Sequence, residues 1–379
     1  GGGRGVVAFI TAAGFLSGPG FVRMRQELRH WCHEVWVIDC SPEGHQPEVA
    51  TRIFQGVQQP VCIVIGVRQR DETKTEPARV RWRALPARHR TAKFEALGAL
   101  RLEQVGWQDC PAEEQAPFLP RSSTSWAEML PVDDAVNYAG SGVQPMRVWV
   151  MAPDAVSLIR RWEALVSAPV DEKQRLFHPT LRGGKPSDRH AFSVVTKALP
   201  GQPARTTPVA HDAAPCADPA RYGARSFDRQ WIIPDLRVIT QPNALLWETA
   251  SSRQVFMTAL HDRHPGSGPA VTFTCLPPDK HHFKGSFGGR VYPLWLDAEA
   301  ARSNFRTGQL QAWGAGLGRE VRPEQFFAYI AALAAHPGYT TQFNADLKTP
   351  GLRIPLTADP ALFTEAAALG RRVIDRKSV

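Results

Sequence analysis

Three short apolar runs rich in β-branched residues punctuate the first seventy residues: Val6–Thr11, Val35–Cys40 and Val61–Arg68. Runs of this length between glycines and polar residues predict strands buried in a sheet. A Gly14–Gly20 loop follows the first. Phe21–Trp31 comes next, with Phe21, Met24, Leu28 and Trp31 at helical spacing on one face. Strand, helix and strand in so short a stretch confine this end to an α/β layer. Three strands make a small sheet, so the segment is expected to be the end of a larger α/β domain.

The rest of the 379 residues has another texture. Arg79–Lys93 carries six Lys/Arg and no acid in fifteen residues, with Trp82 interleaved. Arg147–Met151 followed by Pro153–Val166 predicts a strand and a helix, with Asp154 near the helix start. Residues 167–220 are dense in Pro, Gly and Ala and predict a long irregular surface segment. Residues 221–297 hold strand-like pieces between glycine and proline turns, VTFT and RVYPLW among them. Residues 323–335 read as a helix with Pro at its first position, and Leu362–Leu369 as a shorter one.

Composition narrows the function classes. Hydrophobic residues are 43 % and charged residues 21 %, which excludes wholesale disorder. No run reaches the apolar length of a membrane-spanning helix. Cys32, Cys40, Cys62, Cys110, Cys216 and Cys275 form no C-x-x-C pair or zinc-type cluster. Reduced thiols, a cytoplasmic location and no metal are expected. Phosphate-loop, dinucleotide-fingerprint, nucleophile-elbow and H-E-x-x-H motifs are all missing from the sequence. The formal net charge of +9 favours a polyanionic partner, nucleic acid first.

Arginines beside aromatics carry the remaining chemistry. RYGARSFDRQW sets Arg221, Arg225 and Arg229 at a repeat of four among Tyr222, Phe227 and Trp231. HHFKGSFGGR sets His281, His282, Lys284 and Arg290 on glycine-flanked turns. Arginine forks bind guanine edges or phosphate, and glycines let backbone approach a phosphate. On residue type alone an equal alternative stands: Asp228 and Asp235 pair with the arginines, and the aromatics are core.

RYGARSFDRQWIIPD, PPDKHHFKGSFGGRVYPLW and PGLRIPLTADPALFTEAAALGRRVI resemble the C-terminal specificity region of type ISP restriction–modification enzymes. The resemblance runs through most of residues 140–375. These are single-chain bacterial proteins with nuclease, ATPase, adenine-N6 methyltransferase and target-recognition parts. Residues 5–40 resemble the strand after the catalytic motif of such methyltransferases, its helix and the next strand. Residues 53–68 resemble the later hairpin motif, in which an aromatic faces the flipped adenine. Phe54 stands at that position, where stacking would repay some of what the base loses on leaving the duplex. A plain hairpin hydrophobe is the alternative for Phe54.

The resemblance implies an α/β methyltransferase-like partial sheet over 1–75, a connecting region over 76–145, and an α+β target-recognition domain over 146–379. It implies double-stranded DNA as partner, with Arg225, Arg229, His282, Lys284 and Arg290 touching it and Arg81, Arg83, Arg88 and Arg90 in looser backbone contact. It implies S-adenosylmethionine for the intact enzyme, alongside N-terminal methyltransferase, ATPase and nuclease parts. The family's cofactor-binding glycine motif and its Asn-Pro-Pro-Tyr/Phe are missing from this sequence, and the only Pro-Pro, Pro277-Pro278, follows Leu276. The chain is therefore expected to be a fragment with no catalytic residue of its own and no methyl transfer alone. A stand-alone or decayed DNA-binding specificity module is the alternative, and an α/β enzyme for a small anionic substrate a weaker third.

Overall fold

The computed structural model describes residues 3–43, 51–57, 59–69, 74–120, 125–177, 181–182, 185–186, 190–260, 265–283, 289–344, 346–348 and 351–378. The chain packs as two units. The first is Gly1–Met129 with Asp262–His264 and Phe343–Pro350; the second is Leu130–His261, Pro265–Gln342 and Gly351–Val379. The first unit thus runs on through most of the expected connecting region.

In the first unit, β1 (Gly5–Ala12), β2 (Glu34–Asp39), β3 (Val61–Arg68), β4 (Arg79–Ala84) and β5 (Gln108–Asp109) form one sheet in the order β1-β3-β2-β4-β5. β3 runs antiparallel to both β1 and β2, and β4 runs parallel to β2. The alternation of β2 and β3 sends side chains to both faces. Val35, Val37, Cys62 and Val64 join Phe15, Val80 and Phe118 in one core. Ile38 joins Cys40, Ile53, Val61 and Leu85 in another, against which Phe54, Ile63 and Ile65 pack. The basic stretch at 79–93 is therefore a strand, β4, leading into the helix α2 (Arg90–Ala99).

Two expectations here are corrected. β1 is not a buried strand: it lies at a sheet edge with Val6, Val7 and Ile10 exposed. In helix α1 (Val22–Trp31) the buried residues are Arg25 and Arg29, while Phe21, Met24 and Trp31 are exposed. Arg25 donates to the carbonyls of Phe15 and Gly18 at 2.9 Å. Arg29 donates to Pro111, Glu114, Ala116 and Pro117, and its guanidinium lies over the Phe118 ring. The arginines turn inward because loop carbonyls on that side need donors.

The second unit is built from small sheets and helices. β6 (Leu130–Pro131) leads to α3 (Val132–Ala135) and β7 (Gly140–Ser141); β8 (Met151–Ala152) leads to α4 (Ala155–Ser167) and α5 (Val170–Phe177). A short ladder follows, β9 (Leu181–Arg182) with β10 (Lys185–Pro186), and then irregular backbone to β11 (Ala220–Arg225) and β12 (Asp228–Ile232). After α6 (Ala244–Glu248) come β13 (Phe256–Leu260), β14 (Val271–Thr274) and β15 (Gly289–Pro293). The chain closes with α7 (Thr307–Gly316), α8 (Pro323–Ala334), α9 (Pro337–Gln342), β16 (Arg353–Ile354) and α10 (Pro360–Ser378). The sheets are β11-β12-β8, β14-β13-β15-β7 and β16-β6. One core of this unit gathers Trp162, Phe177, Tyr222, Ile232 and Phe256. α10 runs nineteen residues, well beyond the short helix expected there.

Candidate nucleic-acid interface

RYGARSFDRQW folds as the β11–β12 hairpin, turned by the two residues Ser226 and Phe227. The register slips between Gly223 and Arg225, a bulge that twists the strand. Tyr222, Gly223 and Ala224 are buried, while Arg221 and Arg225 are exposed. Arg221 lies over the Trp231 ring at 5.3 Å. Arg229 is half-buried on β12, opposite Gly223.

A second segment fixes this hairpin. Pro277–Lys280 runs as a bridging strip between residue 143 and residue 223. On one side Val143 N–H donates to Pro278 O at 2.8 Å and Lys280 N–H to Val143 O at 2.7 Å. On the other, Gly223 N–H donates to Pro277 O at 3.1 Å and Asp279 N–H to Gly223 O at 2.9 Å. The strip lies so close that a Cβ on Gly142 would sit 2.5 Å from the Asp279 carbonyl.

Asp279 is the polar centre of this junction. It is buried and accepts from Tyr222 Oη at 2.7 Å, from Arg225 Nη1 at 3.2 Å and from the His281 backbone N–H at 2.7 Å. Burial, reinforced by the neighbouring Asp279 charge, pushes the Tyr222 phenol well above its ordinary range. Tyr222 therefore stays a hydrogen-bond donor and Asp279 an acceptor. The Arg225 side chain remains 48 % exposed, so it has donors left for an outside anion.

The other expected contact residues are placed as follows. His282 is 2 % exposed, with Nδ1 3.1 Å from Thr258 Oγ1. It sits inside the unit and props the strip against β13, so its ring does not face solvent. Arg290 is half-buried on β15, its Nε 3.2 Å from Asp133 Oδ1, and Tyr292 Oη donates to the same carboxylate at 2.9 Å. Lys284 lies outside the described residues. The alternative pairing is corrected too: Asp235 pairs with Arg237, Asp228 accepts from Gln230, and the acid that meets Arg225 is Asp279.

In the first unit, Arg81 stacks over the buried Trp36 ring at 4.3 Å, and Arg83 donates to Val105 O at 3.2 Å. Arg88 is exposed, as is Arg90, which lies over Phe94 at 5.2 Å. Phe54 is half-buried at the turn before β3. Nearby, Lys93 is buried against Glu43 at 2.7 Å and donates to Cys40 O. Among the described residues no three His, Cys, Asp or Glu side chains gather to hold a metal ion, and no helix is long and apolar enough to cross a membrane.

The β11–β12 ribbon therefore stands on a braced mount with Arg221 and Arg225 exposed. The family model of the Type ISP C-terminal specificity domain matches residues 135–377, and the chain belongs to that family. Three solved structures share its fold. A DrdV–DNA complex solved by cryo-EM has 16 % identity and a TM-score of 0.61, covering 99 % of this chain and 38 % of that one. A nuclease-deletion mutant of the Type ISP restriction–modification enzyme LlaGI with a DNA substrate mimic has 13 % identity and a TM-score of 0.63, covering 99 % and 30 %. The ATP-dependent Type ISP enzyme LlaBIII bound to DNA has 14 % identity and a TM-score of 0.63, covering 99 % and 26 %. The chain thus spans about a third of the length of these relatives. No curated protein matches it.

Proposed function

We propose that this chain is the target-recognition part of a Type ISP restriction–modification enzyme, joined to the distal strands of its adenine-N6 methyltransferase sheet. The observation that carries the reading is the braced β11–β12 hairpin inside the matched specificity domain. The DNA in all three related structures supports duplex DNA as the partner. A two-stranded ribbon fits the major groove, and arginines there can contact phosphates or guanine edges. Arg225 and Arg229 on the hairpin and Arg290 on β15 are the assigned contacts. Lys284 belongs with them by residue type. His282 acts from below as a positioning residue, and Arg81, Arg83, Arg88 and Arg90 contribute basic charge in the first unit.

For the first unit, β3 lying antiparallel between β1 and β2 fits the strand, helix, strand and hairpin order of the resemblance. Phe54 would stack on a flipped adenine. The exposed edge of β1 offers a place for a further strand. S-adenosylmethionine does not fit the residues present. The Gly14–Gly20 loop is occupied by its own contacts, with Gly18 N–H bonded to Gly14 O and Arg25 filling the carbonyls of Phe15 and Gly18. The methyl-transfer groups of such an enzyme would lie in other parts of the longer protein.

Arg290→Ala tests the reading. If the guanidinium reads a base, binding should weaken by about 1–3 kcal/mol and one position of the bound sequence should relax. A uniform loss over all sequences, with a shallower salt dependence, would make it a phosphate contact. Unchanged affinity and salt dependence for Ala at Arg225, Arg229 and Arg290 alike would contradict the assignment.

A further inference from the structure

Arg221 stands near the start of β11, directly opposite Trp231 in the ladder. Its guanidinium lies over the indole, 5.3 Å from the ring centroid. The mount under that ring is firm. Trp231 packs against the core of Trp162, Phe177 and Tyr222, and its strand is the middle one of β11-β12-β8. Neighbouring arginines are placed differently. Arg225 donates to Asp279, and Arg290 on β15 lies against Asp133. Arg221 is exposed, and among the described residues it meets the indole alone, with no carboxylate or carbonyl on its N–H groups. Stacking uses the flat face of a guanidinium and leaves the N–H donors around its rim. The group is thereby held in one plane with its fork open. An arginine without such a support carries rotamer freedom that binding must remove.

We propose that Arg221 is a specificity-determining residue: stacked on Trp231, it presents its fork to a guanine edge in the major groove of bound duplex DNA. The inference rests on the DNA-recognition reading above and adds a contact which that reading does not assign. A two-stranded ribbon fits the major groove, where guanine N7 and O6 form a planar pair of acceptors. A planar fork already fixed in direction meets that pair with little further ordering. Trp231 is the positioning residue, since it touches the arginine and not the base. A phosphate asks less of the arginine, because backbone contact carries no sequence information and a freely swinging charge serves it. A cation–π pair that only covers the indole is the competing role, and it would leave DNA selection untouched.

The test selects from a random duplex library with the full chain, unsubstituted and as Arg221→Met, at several salt concentrations. Methionine keeps an apolar cover on the indole and removes every N–H donor. The unsubstituted chain should enrich a motif that contains guanine. Arg221→Met should relax one guanine position, losing about 5- to 150-fold of its preference. Trp231→Leu should relax the same position in part, and the double variant should relax it no further than Arg221→Met. Trp231 also packs in the core, so unfolding midpoints are measured alongside, and Arg221→Met decides alone where Trp231→Leu does not fold. An enriched motif left unchanged at every position by Arg221→Met would overturn the proposal while the DNA reading stands. A uniform loss over all sequences with a shallower salt dependence would also overturn it, making Arg221 a phosphate contact. Retention of duplex by the unsubstituted chain with no enriched motif would overturn the DNA-recognition reading itself.

Discussion

Arg237 lies 2 % exposed between two carboxylates, bonded to Asp212 Oδ2 at 2.6 Å and to Asp235 Oδ2 at 2.6 Å, with Thr207 O as a further acceptor. Burial alone would lower its pKa; Asp235 and Asp212 more than offset that and raise it. Arg237→Met would leave two buried acids without a counter-charge, and should cost about 3–5 kcal/mol in urea unfolding. A loss below about 1 kcal/mol would show that water already reaches the site. Charged residues mark the limit of reading at this scale. Arg25, Arg29 and Arg237 look in the sequence like Arg225 and Arg290, yet they serve the interior. What separates them is where the fold brings carbonyls and acids, from two residues away for Asp235 to more than eighty for the acceptors of Arg29, which no local pattern records. His282 is the same case: a ring nitrogen suits a phosphate or a threonine hydroxyl equally well, and Thr258 takes it here.

At the scale of elements, legibility followed local chemistry. β3, α4 and α8 lie where apolar period, caps and Pro323 place them, because the signals are contiguous. The face of α1 was misread because apolar spacing assumes that polar side chains seek water, and Arg25 and Arg29 find backbone carbonyls instead. The length of α10 was missed because Gly370 reads as a stop. It continues because that glycine lets the backbone pass against α8, where a Cβ would fall 1.7 Å from Ala328 O. Gly370→Ala should destabilise the second unit by about 1–3 kcal/mol in thermal unfolding, whereas an exposed helical glycine would be stabilised by the same change. α4 carries a pH prediction. Asp154 caps it, accepting from Ser157 N–H at 2.7 Å, and this bond holds the carboxyl below its usual pKa. A depressed acid stabilises the fold above its unfolded pKa and loses that contribution as pH falls through the folded value. The gap in unfolding midpoint between the unsubstituted chain and Asp154→Ala should therefore be full at neutral pH and close on acidification. A gap that stays constant would remove the charge from the account.

At the scale of the molecule, the order of strand and helix signals pointed to an α/β layer at the first end, the resemblance supplied the rest, and the chain folds as a mixture of helices and several small sheets. The motifs that resemble type ISP enzymes lie inside the matched segment 135–377. What sequence could not supply was the assembly of the interface. Asp279 meets Tyr222 and Arg225 across more than fifty residues, and Val143 closes the strip from farther still. The turn residues of PPDKH were visible, but their destination was not, because a long-range contact leaves no periodicity. The +9 charge favours a polyanion in general; the resemblance and the matched specificity domain turn that into an expectation of sequence reading, and the braced hairpin gives it a candidate place. The most direct measurement is to mix the purified chain with a random duplex DNA library at moderate salt and sequence what is retained. The account predicts one enriched motif of several base pairs, read by the second unit. Retention without enrichment, fading steeply as salt rises, would contradict it and leave only counterion-driven binding to phosphate.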